Sequence, residues 1–223
     1  MTKKTNNLKI KILPTITKGR QEDFYLGEAK AAQKELKKYF NNEPKSITIT
    51  ICKNKKSFLQ AIRKKNVPEW HIAHIPANSQ SHIYIYDDLS SPIESKKLEQ
   101  VITHEMTHLY INQVNKKLPD WLKEGLAVYF AEQIFKTNID ATNWRKITKH
   151  GSPFKKIKWD QAVKYDGYNI SGLLILAFIQ KFGWKSFSEA LKKTNGDFQE
   201  LIEYLKDKPK QFTDEFEKNY IKI

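Results

Sequence analysis

The chain has 223 residues, 39% of them hydrophobic and 12% aromatic, and its 39 basic and 25 acidic residues give a formal net charge of +14. This length and composition argue against intrinsic disorder and allow one domain, or one domain split into two lobes, with a sizeable core. The positive charge favours anionic surroundings. The lysines are scattered without an arginine cluster, which argues against nucleic acid and keeps an anionic surface polymer open as a partner.

The predicted strands lie in the first 90 residues. In chain order the predicted elements are a strand at 8–13, a helix at 21–40, a strand at 46–52, a short helix at 57–65 and a strand at 83–86. Residues 8–13 alternate between apolar and polar side chains until Pro14, and residues 46–52 are rich in β-branched side chains, both typical of strands. One face of the helix at 21–40 carries Tyr25, Ala29, Ala32, Leu36 and Tyr39.

The remainder of the chain is predicted to be helical. A serine followed by Pro92 predicts the start of a helix that ends near Asn115, and Asp120 is the predicted N-cap of a helix that ends near Phe135. Further helices are predicted at about 159–165, 170–182, 186–194, 197–207 and 213–221. The separation of strands from helices indicates an α+β fold and argues against a parallel βαβ array. A small mixed sheet is expected in an N-terminal lobe, 1–115, followed by a mostly α-helical C-terminal lobe, 116–223.

Cysteine content and hydropathy limit the class of protein further. Cys52 is the single cysteine, which rules out an intrachain disulfide and a thiolate metal cluster, and its strand-like neighbours place it in the core. No run of about 18 apolar residues is present, so no transmembrane helix is expected, and the first residues lack the apolar segment of a signal peptide. The expected location is cytoplasmic for a complete chain, and secreted or cell-surface if an export signal has been removed.

The segment VITHEMTHLY, residues 101–110, combines apolar residues with two histidines and a glutamate. On a helix His104 and His108 differ by about 40° of rotation, so both imidazoles lie on one face and can bind a single zinc ion. Glu105 lies about 100° from His104 and can instead reach a metal-bound water, which gives the H-E-x-x-H pattern two ligands and one general base. The alternative is an amphipathic helix whose polar edge happens to contain histidines.

Glu124 is the candidate third ligand, which a catalytic zinc with two histidines requires. It follows His108 by 16 residues, enough for a turn and an antiparallel second helix. Ala127, Val128 and Ala131 share its face and are small enough to let the two helices approach closely. The alternative is a solvated carboxylate in the first turn, which the helix dipole favours.

Three segments in order, HEMTHL, PDWLKEGLAVYF and YNISGLLILAFIQKFG, resemble the gluzincin metallopeptidases, in particular the peptidase-MA-like group. The resemblance covers about 101–183, and FTDEFEKNYI resembles that group's closing helix. It implies a zincin-like fold in which both lobes form one catalytic domain. Val128 stands where thermolysin-like enzymes have an aspartate, so the residue that orients the histidines is unidentified.

The resemblance also implies a role for each candidate residue. His104, His108 and Glu124 would bind one catalytic zinc ion, Glu105 would be general base and then proton shuttle, and Tyr168 would stabilise the oxyanion. Tyr168 as a core aromatic at a helix start is the alternative, with Tyr165 as a weaker candidate for the oxyanion role.

These observations favour a zinc-dependent endopeptidase that acts on a peptide or protein substrate through a metal-bound water. The chain has no Gly-Ala-Met-Glu-Asn motif, so aminopeptidase activity is not expected. The second hypothesis is a basic binding module for nucleic acid or anionic cell-wall polymer, with a structural or degenerate zinc site. A peptidase-fold protein kept latent by its own N-terminal segment is a third. Substrate specificity and oligomeric state stay open.

Residues 70–88 carry three further histidines, His71, His74 and His82. Their spacing matches no ligand pattern, so a surface or groove-lining position is preferred to a second metal site. The segment SHIYIY is a candidate edge strand that could pair with an extended peptide, and Trp70 could shape such a groove or belong to the core.

Overall fold

The computed structural model of the protein describes residues 2–5, 7–13, 20–69, 71–76, 79–88 and 90–222. Pro14 and Trp70, for which a strand end and a groove or core position are predicted, lie outside the described residues. The chain divides into two compact units, Met1–Gln113 and Val114–Ile223.

The amino-terminal unit contains a five-stranded mixed sheet, as predicted. Its strands are β1 (Thr2–Thr5), β2 (Leu8–Leu13), β3 (Ile47–Cys52), β4 (Ala73–His74) and β5 (His82–Tyr86), in the order β1-β2-β3-β5-β4. Strands β2, β3 and β5 are parallel, while β1 and β4 are antiparallel to their neighbours at the two edges. The helices that begin in this unit are α1 (Glu22–Leu36), α2 (Lys55–Ala61) and α3 (Ser95–Val114).

The topology of this sheet corrects two predictions. Helix α1 connects β2 to β3, and α2 lies between β3 and β5, so the sheet does contain parallel crossovers. Strand β5 is not at the edge, because β4 pairs with it at Ala73–Ile85 and His74–Tyr84. Alternating burial shows only that one face of a strand is covered, and it does not reveal which strands lie on either side.

One face of the sheet forms the core of the amino-terminal unit. Fully buried side chains on this face alternate along the three central strands and include Leu8, Ile10, Ile49, Ile51, Ile83 and Ile85. The predicted apolar face of α1 is confirmed for its first four members, which are all buried: Tyr25, Ala29, Ala32 and Leu36. Tyr39 lies beyond the end of α1 at Leu36 and is half-buried, so this part of the prediction is wrong. On the other face, Phe58 and Ile62 form a second cluster with Cys52, against which Tyr84 and Tyr86 pack.

A buried ionic cluster lies at the carboxyl ends of β3 and β5. The Asp87 side chain is fully buried and accepts hydrogen bonds from the Tyr25 hydroxyl at 2.5 Å and Lys53 Nζ at 3.2 Å. Arg20 Nη1 lies 3.6 Å from the same carboxylate. Burial lowers the pKa of Lys53, with Asp87 acting in the opposite direction. A buried carboxylate with these partners is costly to disturb, because each cation would lose its counter-charge.

The same cluster explains why α3 begins at Ser95. The predicted start at Pro92 is wrong. The Ile93 amide donates to Asp87 Oδ1 at 2.8 Å, and Arg20 Nη1 donates to the Ile93 carbonyl at 2.5 Å. Both backbone groups of Ile93 are therefore satisfied by side chains outside the helix. The cap-then-proline signal was wrong by about one turn because distant residues supply these partners.

The carboxyl-terminal unit is mostly helical, as predicted. Its helices are α4 (Asp120–Phe130), α5 (Ala141–Ile147), α6 (Trp159–Val163), α7 (Gly167–Lys193), α8 (Phe198–Tyr204) and α9 (Pro209–Tyr220). Helix α7 is interrupted at Gly183, where φ is +75°, so its two segments correspond to the helices predicted at 170–182 and 186–194.

Several details of this unit differ from the prediction. Asp120 is the first residue of α4 and Pro119 is its N-cap. The helix ends at Phe130, five residues early, and Glu132 adopts the left-handed conformation with φ of +52°. Helix α5 was not predicted, and neither were two short parallel strands, β6 (Ile139–Asp140) and β7 (Ile221–Lys222), so strands are not confined to the first 90 residues.

Within the described part of the chain, no helix combines the length and the apolar character needed to cross a membrane.

Candidate metal centre

Helix α3 presents both predicted histidines on one side. The His104 and His108 ring centroids are 5.0 Å apart and their planes meet at 75°. Both side chains are partly exposed, whereas neighbouring Met106, Thr107 and Leu109 are buried. The buried stripe fixes the rotation of the helix about its axis, which leaves the histidine edge accessible.

Helix α4 carries Glu124, and its packing against α7 depends on two glycines. A Cβ at Gly125 would lie 2.7 Å from the Ser171 carbonyl oxygen, and a Cβ at Gly172 would lie 2.6 Å from Val128 Cγ1. Only glycine permits this separation of the two helix backbones. Val128 is 2% exposed and forms an apolar contact between α4 and α7.

The three predicted ligands come together. The ligand atoms of His104, His108 and Glu124 all lie within 4.8 Å of one another, and each side chain is partly buried. A zinc ion holds such ligands at 2.0–2.2 Å, which places donors of one tetrahedral shell about 3.4 Å apart. Two imidazoles and a carboxylate within 4.8 Å of one another form a group that could hold a metal ion.

Glu105 and Tyr168 are the two residues with predicted roles in catalysis. Glu105 follows His104 on α3 and is partly exposed. Tyr168 is the second residue of α7, and its partly exposed ring meets Trp159 edge-on, with centroids 5.1 Å apart. The oxyanion role of Tyr168 remains a prediction.

The remaining histidines of the amino-terminal unit do not form a second centre of this kind. Among the described residues, no other set of three His, Cys, Asp or Glu side chains lies close enough to share an ion. His82 shares a hydrogen bond of 2.9 Å with Thr50 Oγ1 and stacks on Tyr84. Burial, followed by neighbouring lysines, lowers the pKa of His82, and the pKa of His74 is lowered in the same way. Both shifts favour the neutral form of the imidazole.

Gly125 and Gly172 are the residues that the sequence reasoning missed. A glycine within a helix destabilises it by about 1 kcal/mol relative to alanine, so its presence there signals a packing or functional reason. Gly125 directly follows the candidate ligand Glu124, and this adjacency could have identified a close helix contact.

No protein family model matches this chain, and no curated protein matches it. The interpretation of the centre therefore depends on its own residues and their geometry.

Proposed function

We propose that this protein is a zinc-dependent metallopeptidase of gluzincin type, with a zincin-like fold, and that it cleaves peptide bonds within a chain. The observation that carries the proposal is the grouping of His104, His108 and Glu124 within 4.8 Å. Two imidazoles with one carboxylate are a ligand set of catalytic zinc sites in peptidases, where the fourth position is left for water or substrate.

Glu105 favours hydrolysis over the other chemistry of such a ligand set. Two histidines and one carboxylate also hold iron(II) in oxygenases, where no adjacent general base is required. In the present chain a second carboxylate directly follows the first histidine ligand on the same helix. A glutamate at this position is the general base of the H-E-x-x-H pattern.

In the proposed mechanism, each step of peptide hydrolysis is assigned to particular residues of this chain. His104 and His108, as neutral imidazoles, and Glu124, as a carboxylate, would hold the ion, which when bound supplies Lewis acidity and lowers the pKa of water towards about 7. Glu105 would accept a proton from the attacking water and return it to the leaving amine. The Tyr168 hydroxyl would donate a hydrogen bond to the oxygen on which negative charge develops.

The test combines metal analysis with cleavage of unfolded casein. We expect one zinc ion per chain and casein cleavage that a chelator abolishes. Glu105→Gln should retain the zinc and lose the cleavage, because this residue acts on water. Glu99→Gln is the matched control: it makes the same change at an exposed position of α3 and should leave both quantities unaltered. Full activity of metal-free protein, or turnover of Glu105→Gln within threefold of the parent, would refute the proposal.

The net charge of +14 favours a second candidate, a basic module that binds an anionic polymer and uses the metal centre structurally. Glu105 argues against it, because a structural site needs no water-activating carboxylate. Salt-sensitive polymer binding that is unchanged in His104→Ala, together with the absence of casein cleavage, would favour this candidate.

A further inference from the structure

The carboxyl-terminal unit contains an open cavity of about 700 Å³. It is lined by residues 135–140, Asn143, Val163, Lys164, Asp166 and Lys222, and is called the lysine basin below. Its volume falls within the range of small-molecule and cofactor sites, and none of the candidate catalytic residues or metal ligands lines it.

The rim of the lysine basin combines an exposed aromatic ring with a backbone segment that is hydrogen-bonded to a buried side chain. Phe135 is 79% exposed, the largest exposure of a large apolar side chain among the described residues. Its amide and that of Lys136 both donate to Asn169 Oδ1, at 3.1 and 3.2 Å, and Asn169 Nδ2 donates to the Lys136 carbonyl at 3.0 Å. Asn169 is buried. Its side chain therefore anchors the backbone of residues 135–136, while the Phe135 ring remains exposed to solvent.

Positive charge predominates around the lysine basin. Lys136, Lys164 and Lys222 are exposed at its surface, against the two carboxylates of Asp140 and Asp166. Asp140 Oδ1 is occupied as the cap of α5, where it accepts from the Thr142 and Asn143 amides. Burial raises the pKa of Asp166, with Lys136 acting in the opposite direction. The three exposed ammonium groups outnumber the two carboxylates, and they are available to contact an anionic ligand.

The composition of the walls indicates what kind of ligand fits. Most of the lining side chains are polar, and the cavity is open. A mainly apolar ligand would therefore bury little surface there and gain little binding free energy. A hydroxyl-rich ring suits it better: amides such as Asn138 and Asn143 can exchange hydrogen bonds with hydroxyl groups, and the face of Phe135 can cover the apolar face of a sugar. Three lysines select for negative charge.

We propose that the lysine basin binds a segment of an acidic polysaccharide, with Phe135 packed on one sugar ring and Lys136 and Lys164 paired with its carboxylates. An open cavity accommodates a chain that enters and leaves, which favours a polymer over a single sugar. This site is independent of the metal centre and of the peptidase proposal.

The test measures binding of three probes to the full chain by calorimetry at two salt concentrations: polygalacturonate, uncharged dextran and a single-stranded oligothymidylate. We expect polygalacturonate to bind, to weaken when salt is raised, and to bind more tightly than the other two. Phe135→Ala should weaken its binding by about 5- to 10-fold, and the double variant Lys136→Ala/Lys164→Ala by about 10-fold or more.

Two matched controls separate a site from diffuse charge. Tyr204→Ala removes another exposed ring of this unit, and Lys210→Ala/Lys218→Ala removes two exposed lysines of α9. Both should bind polygalacturonate as the parent does. The proposal is overturned if the controls weaken binding as much as the basin variants, if dextran binds equally well, if the oligothymidylate binds more tightly through Phe135, or if polygalacturonate does not bind.

Discussion

Replacing Gly125 with alanine would add one methyl group at the point where α4 meets α7. That methyl carbon would lie 2.7 Å from the Ser171 carbonyl oxygen and 2.9 Å from Ile175 Cγ1. Carbon atoms in optimal contact are about 3.5–4.0 Å apart, so both neighbours would be overlapped. The Ser171 atoms belong to the backbone of a helix and cannot rotate away, and the two helices must separate instead.

The size of the effect follows from two opposing contributions. Overpacking of a well-packed contact destabilises a protein by about 1–3 kcal/mol, and the rigid backbone partner places Gly125→Ala near the upper limit. Alanine in place of glycine within a helix stabilises by about 1 kcal/mol. The net loss is therefore about 2 kcal/mol. For a chain of this size, 1 kcal/mol corresponds to about 2–4 °C in Tm, so Tm should fall by about 4–8 °C.

Gly27 on α1 is the matched control. It is exposed, and a Cβ there would meet nothing within 4 Å. Gly27→Ala gains the helix propensity without the overlap and should raise Tm by about 2–4 °C. Thermal unfolding of both variants, followed by circular dichroism on matched preparations, makes the comparison. If Gly125→Ala melts at or above the parent temperature, the close contact between α4 and α7 is not a structural requirement.

The same substitution tests whether α4 positions the candidate metal ligand Glu124. Glu124 directly precedes Gly125, so a displaced α4 moves its carboxylate. Zinc affinity, measured by competition with a chelator below the melting temperature, should fall in Gly125→Ala and remain unaltered in Gly27→Ala. Unaltered affinity in a destabilised Gly125→Ala protein would mean that the position of the carboxylate is controlled elsewhere.

The remaining predictions concern single side chains. Glu124→Ala should weaken zinc retention strongly. Asp120 is an exposed carboxylate on the same helix, and Asp120→Ala should leave zinc retention unaltered. Tightly bound stoichiometric zinc in Glu124→Ala would point to another ligand. Tyr168→Phe should lower kcat by about 10- to 100-fold at unaltered zinc content, whereas a change in Tm alone would make this residue structural. Asp87→Asn should destabilise by about 3–5 kcal/mol because Lys53 loses its buried counter-charge. Adding Lys53→Met should recover part of that loss in urea unfolding, and strictly additive losses would contradict the pairing.

The grouping of His104, His108 and Glu124 was the part of the molecule most accessible from the sequence. His104 and His108 share a helix whose buried residues recur with helical spacing, so their relative position follows from local geometry. Glu124 is close enough along the chain for one turn to return it to the same place. The strand at 8–13 is confirmed with its predicted bounds, because a strict alternation depends on few distant contacts.

What the sequence could not indicate depends on partners far along the chain. The start of α3 was wrong because Arg20 and Asp87 occupy the backbone groups of Ile93. Strands β6 and β7 have two residues each and pair Ile139 with Ile221, 82 positions apart, and so short a segment has no periodicity to detect. The edge strand β4 also has two residues, and it was not predicted for the same reason.

Cys52 makes the amino-terminal unit observable without any added label. Its thiol is fully buried beside Phe58 and Ile62, and burial raises its pKa to about 11. The thiolate is the form that reacts with alkylating reagents. In the folded protein the reagent cannot reach the buried sulfur, and the raised pKa keeps the thiol protonated. Since the chain contains one cysteine, its rate of modification under native conditions counts the openings of the β3–α2 region, and the opening free energy follows from that rate.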